Sequence, residues 1–139
     1  MRQKVSLDLC HRSKSKVKLG MRKWIYNKNG QATAIEREDT VYDRNGNFCL
    51  WISRGNLYNQ QGQHIGWVDG GVYYDSNNCV IGFTRDHTRH LPSTPGLCGT
   101  PGMPGLAGRP GKPGFSGTPG KPGYGGWSDE LLEDYIEEC

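Results

Sequence analysis

The sequence predicts an all-β fold: four 16-residue hairpin repeats closed into a shallow pseudo-four-fold antiparallel barrel, followed by an extended Gly/Pro tail and a short C-terminal helix. Three observations predict it. Tyrosines stand at Tyr26, Tyr42, Tyr58 and Tyr74, each 16 residues after the last. Turn residues recur at fixed places in every unit. From Gly96 to Gly126 a glycine holds every third position, eleven in succession.

Aligned on the tyrosines, Ile25 to Thr88 divides without a gap into IYNKNGQATAIEREDT, VYDRNGNFCLWISRGN, LYNQQGQHIGWVDGGV and YYDSNNCVIGFTRDHT. The third position is Asn or Asp, and the sixth is Gly30, Gly46, Gly62 or Asn78. An Asx residue opening a turn caps its own backbone, and Gly or Asn three residues on takes the left-handed conformation that returns the chain. The eleventh position is Ile35, Trp51, Trp67 or Phe83, preceded two places earlier by Thr33, Cys49, Ile65 or Ile81. A spacing of two puts both on one face of a strand. Late in the units, Arg54-Gly55-Asn56 and Asp69-Gly70-Gly71 signal a second tight turn, so roughly eight short strands form an antiparallel meander. Propeller blades need about 40 to 45 residues each, which excludes a propeller.

A short repeat cannot bury its own apolar side, and open sheet edges invite aggregation, so four equal hairpins close into a ring. Closure brings Tyr26, Tyr42, Tyr58, Tyr74, Trp51, Trp67 and Phe83 together near the axis or lines one face with them in rings. An open axis ringed by these residues would form an aromatic pocket for a sugar, a lipid chain or a peptide end. Gly66 and Gly82, at the tenth position, permit close backbone approach on the opposite face.

The segments WIYNKNGQATA, VYDRNGNFCLWI, LYNQQGQHIGWV and YYDSNNCVIGFTRD resemble the small bacterial family described as the four-fold β-flower, over about half of the chain. The resemblance implies a symmetrical β-barrel with petal-like hairpins, often followed by a Gly/Pro-rich tail, and it implies no catalytic residues. Asn78 in place of Gly and Ile35 in place of an aromatic depart from the repeat.

Four segments follow: a basic N-terminal extension over 1–23, the repeat domain over 24–88, a linker and collagen-like Gly-X-Y tail over 89–127, and an acidic segment over 128–139. Met21 is expected to be an alternative start. Glycine at every third position is the rule of the collagen triple helix, where only glycine fits at the axis. A solvated polyproline II linker is the alternative, and either form extends on the order of 90 Å. Self-association through this tail is the one partner expectation. In the last segment Leu131, Leu132, Tyr135 and Ile136 lie at helical spacing, Ser128 caps the first turn, and Trp127 staples onto Leu132.

Seventeen basic and 14 acidic residues leave a formal charge of +3, with the basic excess at one end and the acidic excess at the other. No apolar run reaches the roughly 20 residues of a membrane span, and no apolar h-region marks a secretory signal, so a soluble cytoplasmic protein with reduced cysteines is expected. His87-x-x-His90 lacks a third ligand, and no metal or other cofactor is expected. Cys49 and Cys79 alternate with apolar residues and read as small buried hydrophobes rather than partners of a nucleophilic pair with His64. Asn27, Asp43, Asn59 and Asp75 recur where Asx capping explains them; Asp39, Asp69 and Asp86 fall on the other rim. No Walker loop, Rossmann fingerprint or basic-aromatic face is present, so no nucleic-acid partner is expected. The functional expectation is a non-enzymatic structural or interaction module, with small-ligand binding in an aromatic axial pocket as the alternative.

Overall fold

The computed structural model describes residues 22–108, 110–129 and 131–133. The basic extension, the alternative start at Met21 and most of the C-terminal helical segment lie outside the described residues. Eight strands follow one another: β1 (Arg22–Tyr26), β2 (Ala32–Arg37), β3 (Thr40–Asp43), β4 (Phe48–Ser53), β5 (Asn56–Tyr58), β6 (His64–Asp69), β7 (Val72–Asp75) and β8 (Val80–Thr84). Each pairs antiparallel with the next, and β8 returns to β1 through Ile25 opposite Thr84 and Tyr26 opposite Phe83. The strands form a closed barrel.

Both kinds of turn follow from the local residues. Asn27, Asp43, Asn59 and Asp75 each accept two backbone N–H groups with one side-chain oxygen, from residues two and four places on. The sixth-position residue closes the turn with a left-handed backbone: φ is 80° at Gly30, 92° at Gly46, 87° at Gly62 and 61° at Asn78. At the other end, Arg54-Gly55 and Gly70-Gly71 both have positive φ at two successive residues, the requirement of the type I′ hairpin turn.

Register shifts occur at one point in every repeat: between Ile25 and Tyr26, Val41 and Tyr42, Leu57 and Tyr58, and Tyr73 and Tyr74. The residue left without a partner on the facing strand is the ninth of each unit, Thr33, Cys49, Ile65 or Ile81. This β-bulge breaks the period of two. The expectation that the ninth and eleventh positions share a face is therefore corrected: Cys49 and Ile81 join the interior cluster, with Ile65 packed against it, while the eleventh position faces outward.

That interior is filled by the first-position residues Ile25, Val41, Leu57 and Tyr73, together with Ala34, Leu50, Cys49, Ile81 and Leu132. Leu132 arrives from beyond the Gly-X-Y tail and is fully buried. Its Cδ2 lies 3.3 Å from where a Cβ on Gly82 would stand, so glycine at that tenth position helps to admit it. Of the expected C-terminal helix, only Leu132 and Glu133 are helical among the described residues. The staple is corrected: Leu132 packs into the barrel core, while Trp127 packs with the outer cluster. Ser128 is tied to the sheet, its N–H donating to Val80 O at 2.8 Å and its hydroxyl to Asp75 Oδ2 at 2.8 Å. Cys49 is disulfide-bonded, so the expectation of reduced cysteines does not hold there. No helix among the described residues is long and apolar enough to cross a membrane.

Candidate functional site

Strand pairing places the tyrosine of each repeat opposite the eleventh residue of the unit before it. Tyr26 faces Phe83, Tyr42 faces Ile35, Tyr58 faces Trp51 and Tyr74 faces Trp67. Facing residues share one side of a sheet. Because Ile25, Val41, Leu57 and Tyr73 take the inner side, these seven aromatics line the outer wall in rings rather than the axis. They are nevertheless buried, from 0 to 7 % exposed.

The cover is the Gly-X-Y tail, which runs around the barrel as a belt. Cys98 N–H donates to Gly30 O at 2.9 Å, Ala107 to Gly46 O at 2.9 Å, Ser116 to Gly62 O at 2.8 Å and Gly125 to Asn78 O at 3.2 Å. One tail residue in nine thus meets one turn in each repeat. At the first three turns the tail's Gly96, Gly105 and Gly114 carbonyls come so close that a Cβ on Gly30, Gly46 or Gly62 would overlap them. Side chains between these anchors cover the aromatic wall. Phe115 stacks on Tyr58 with centroids 4.2 Å apart, Lys112 stands 5.8 Å from the Trp51 ring, and Lys121 stands 5.5 Å from Trp67 and 5.8 Å from Tyr74. The tail glycines themselves, from Gly96 to Gly123, face open space. Neither the projecting linker nor the triple helix describes this segment: it is extended, but seated on its own barrel. Sequence reasoning missed a second period that carries the signal, the nine-residue spacing of Leu97, Leu106, Phe115 and Tyr124.

The fourth repeat breaks the symmetry. Asn78 replaces glycine, and its Nδ2 donates to Pro122 O at 2.9 Å while its Oδ1 is buried without a hydrogen-bond partner. Beside it lies a surface cavity of about 430 Å³ lined by Tyr74, Tyr124, Arg89, His90, Lys121 and Asp69 as well as Asn78. Tyr74 and Tyr124 meet edge to face, centroids 6.3 Å apart. Burial raises the pKa of both phenols; the Asp69 charge and Tyr124 add to the shift at Tyr74, against the pull of Arg89. Arg89 donates from Nε to Asp69 Oδ2 at 2.9 Å, and that hydrogen bond and charge hold the guanidinium pKa above its ordinary value.

The match to known proteins covers both the barrel and its belt: residues 23–136 fit the family described as 4-fold beta flower protein. The chain belongs to that family. No curated protein and no solved structure matches it.

Elsewhere on this β-flower chain, the other candidates sit apart from one another. His64 Nε2 lies 3.1 Å from Asn56 Oδ1, its ring packs against Tyr58 and Trp67, and burial lowers its pKa. Burial, reinforced by the charges of Asp75 and Asp129, raises the Cys79 thiol, the direction opposite to a nucleophilic thiolate. His87 Nδ1 is 2.9 Å from Thr84 O, whereas His90 lines the fourth-repeat cavity. Among the described residues no three His, Cys, Asp or Glu side chains are grouped to hold a metal ion. Of the rim acids, Asp39 pairs with Lys112 at 3.1 Å, Asp69 with Arg89 at 2.8 Å and Asp86 with Lys23 at 3.2 Å.

Proposed function

We propose that this β-flower chain is a non-enzymatic structural or interaction module, in which the Gly-X-Y tail completes the folded unit instead of projecting from it. The seating of the tail carries this reading: four backbone hydrogen bonds, one to each repeat, consume the segment that would otherwise extend or oligomerise the chain. Two further features support it. The barrel axis is filled with apolar side chains and closed by Leu132, and the outer aromatic wall is covered by the belt. The module therefore offers partners its turns and the outer edge of the belt.

Amide hydrogen exchange on the full chain tests the reading. Cys98, Ala107, Ser116 and Gly125 are expected to exchange slowly against fast neighbours such as Gly99 and Gly102, with a monomer in sedimentation velocity. Uniformly fast exchange over 96–126, or a trimer, would overturn it.

A further inference from the structure

We propose that the cavity at the fourth repeat binds an acidic sugar, a monosaccharide carrying a carboxylate or a phosphate. This goes beyond the module reading, because it assigns a ligand to one repeat of four. The argument rests on what the broken symmetry leaves unmatched. Lys112 and Lys121 occupy equivalent places nine residues apart in the belt, each over the tryptophan of its repeat, Trp51 and Trp67. Lys112 pairs with Asp39, but the residue 16 places after Asp39 is Gly55. Lys121 therefore has no carboxylate partner among the described residues, and its ammonium rests on two ring faces.

Four more side chains with unused polar groups line the same cavity. Asn78 Oδ1 is a buried acceptor without a donor, a condition that folded proteins seldom leave unanswered. The Tyr74 and Tyr124 hydroxyls make no hydrogen bond among the described residues, and their rings meet at 75°, forming an apolar corner. Arg89 uses Nε and one Nη on Asp69, leaving its remaining N–H groups unengaged among the described residues.

Together these groups describe the ligand. Lys121 and Arg89 supply two cations against the single carboxylate of Asp69, so the excess charge calls for an anion. The Asn78 oxygen calls for a hydroxyl that donates, and the tyrosine corner calls for the C–H face of a ring. At about 430 Å³ the cavity has the size of a small-molecule site. An acidic monosaccharide carries all three features on one small frame. None of the first three turns offers them, because Gly30, Gly46 and Gly62 have no side chain there.

Heteronuclear NMR titration of the full chain tests the assignment, with the probes glucuronate, glucose 6-phosphate, glucose and inorganic phosphate. Either acidic sugar is expected to shift the amides of Asn78, Lys121 and Tyr124 while leaving Gly30, Gly46 and Gly62 in place, and to bind about tenfold tighter than glucose or phosphate. The two acidic probes show whether the carboxylate or the phosphate is preferred. Asn78→Gly installs the residue used at the other three turns, so the fold is retained and affinity falls about tenfold. Lys121→Gln, on an exposed side chain, gives a similar loss and a weaker salt dependence. The proposal is overturned if neither acidic sugar shifts these amides, if phosphate alone binds as tightly, or if both variants bind as the parent does.

Discussion

The Tyr73 hydroxyl donates to Glu36 Oε1 through the barrel interior, joining β7 to β2 past the two strands between them. Tyr73 is fully buried, and Glu36 lies 4.0 Å from Lys23, which in turn pairs with Asp86 at 3.2 Å. Burial first, then the charge of Glu36 and its hydrogen bond, raise the phenol well above its ordinary range.

This relationship predicts an alkaline limit. A phenol with a higher pKa folded than unfolded contributes stability that is fully present below about pH 10, the unfolded value, and is lost as pH rises past it. Tyr73→Phe is expected to cost about 1–3 kcal/mol at pH 8 and to flatten the decline above pH 10 relative to the parent. Urea denaturation across pH 8 to 11 measures both. An equally steep decline in the variant would show that Tyr73 does not carry it.

Belt seating predicts unequal costs for two glycines of similar backbone conformation. Gly46 and Gly55 have φ of 92° and 79°, but only at Gly46 does the belt fill the space of a Cβ. Gly55→Ala is expected to cost about 1 kcal/mol for its backbone alone. Gly46→Ala adds displacement of the Gly105 carbonyl, and the expected total is about 2–4 kcal/mol. Equal losses in thermal denaturation would argue against a seated belt.

Leu132 predicts that the segment beyond the belt stabilises the barrel. Leu132→Ala empties part of the core and is expected to cost about 2–5 kcal/mol. Leu97→Ala, at a belt side chain that is 40 % exposed, is expected to stay within about 0.5 kcal/mol of the parent. A Leu132→Ala variant as stable as Leu97→Ala would remove Leu132 from the core.

Asp75 does more than Asp43. Like Asp43 it caps its own turn, but it also accepts the Ser128 hydroxyl and is itself buried. Asp75→Ala is expected to cost about 1–2 kcal/mol more than Asp43→Ala, and Ser128→Ala is expected to account for much of that difference in a double-mutant cycle. Additive effects in the cycle would separate the two residues.

Much of the barrel was legible because its signals are local. The Asx residues and the sixth-position Gly or Asn specify each turn through bonds within five residues, and the 16-residue period counts the repeats. The inner and outer walls were not legible in the same way. Alternation by two was read straight through the ninth position, but the bulge there inverts the pattern, and nothing in Thr33, Cys49, Ile65 or Ile81 announces a bulge. The candidate site was half visible. The aromatics that the sequence singled out are the wall beneath the belt, whereas Arg89, Lys121 and Tyr124 drew no notice, since each lies outside the 16-residue repeat or at its edge and reaches its partners only through the seating of the tail.

By itself, then, the order of residues determined the number of hairpins, the chemistry of the four Asx turns and of the glycine turns at Gly55 and Gly70-Gly71, and the ring closure that four equal units require, but not the turn at Glu38, whose φ is 55°. Tertiary structure decided where the tail goes. The turn glycines Gly30, Gly46 and Gly62 leave room for the belt's carbonyls while the belt's own glycines face outward, and the seating depends on matching two periods, nine in the belt and 16 in the barrel, around one circumference. That match is long-range geometry, set by strand tilt and bulge position, and no local preference encodes it.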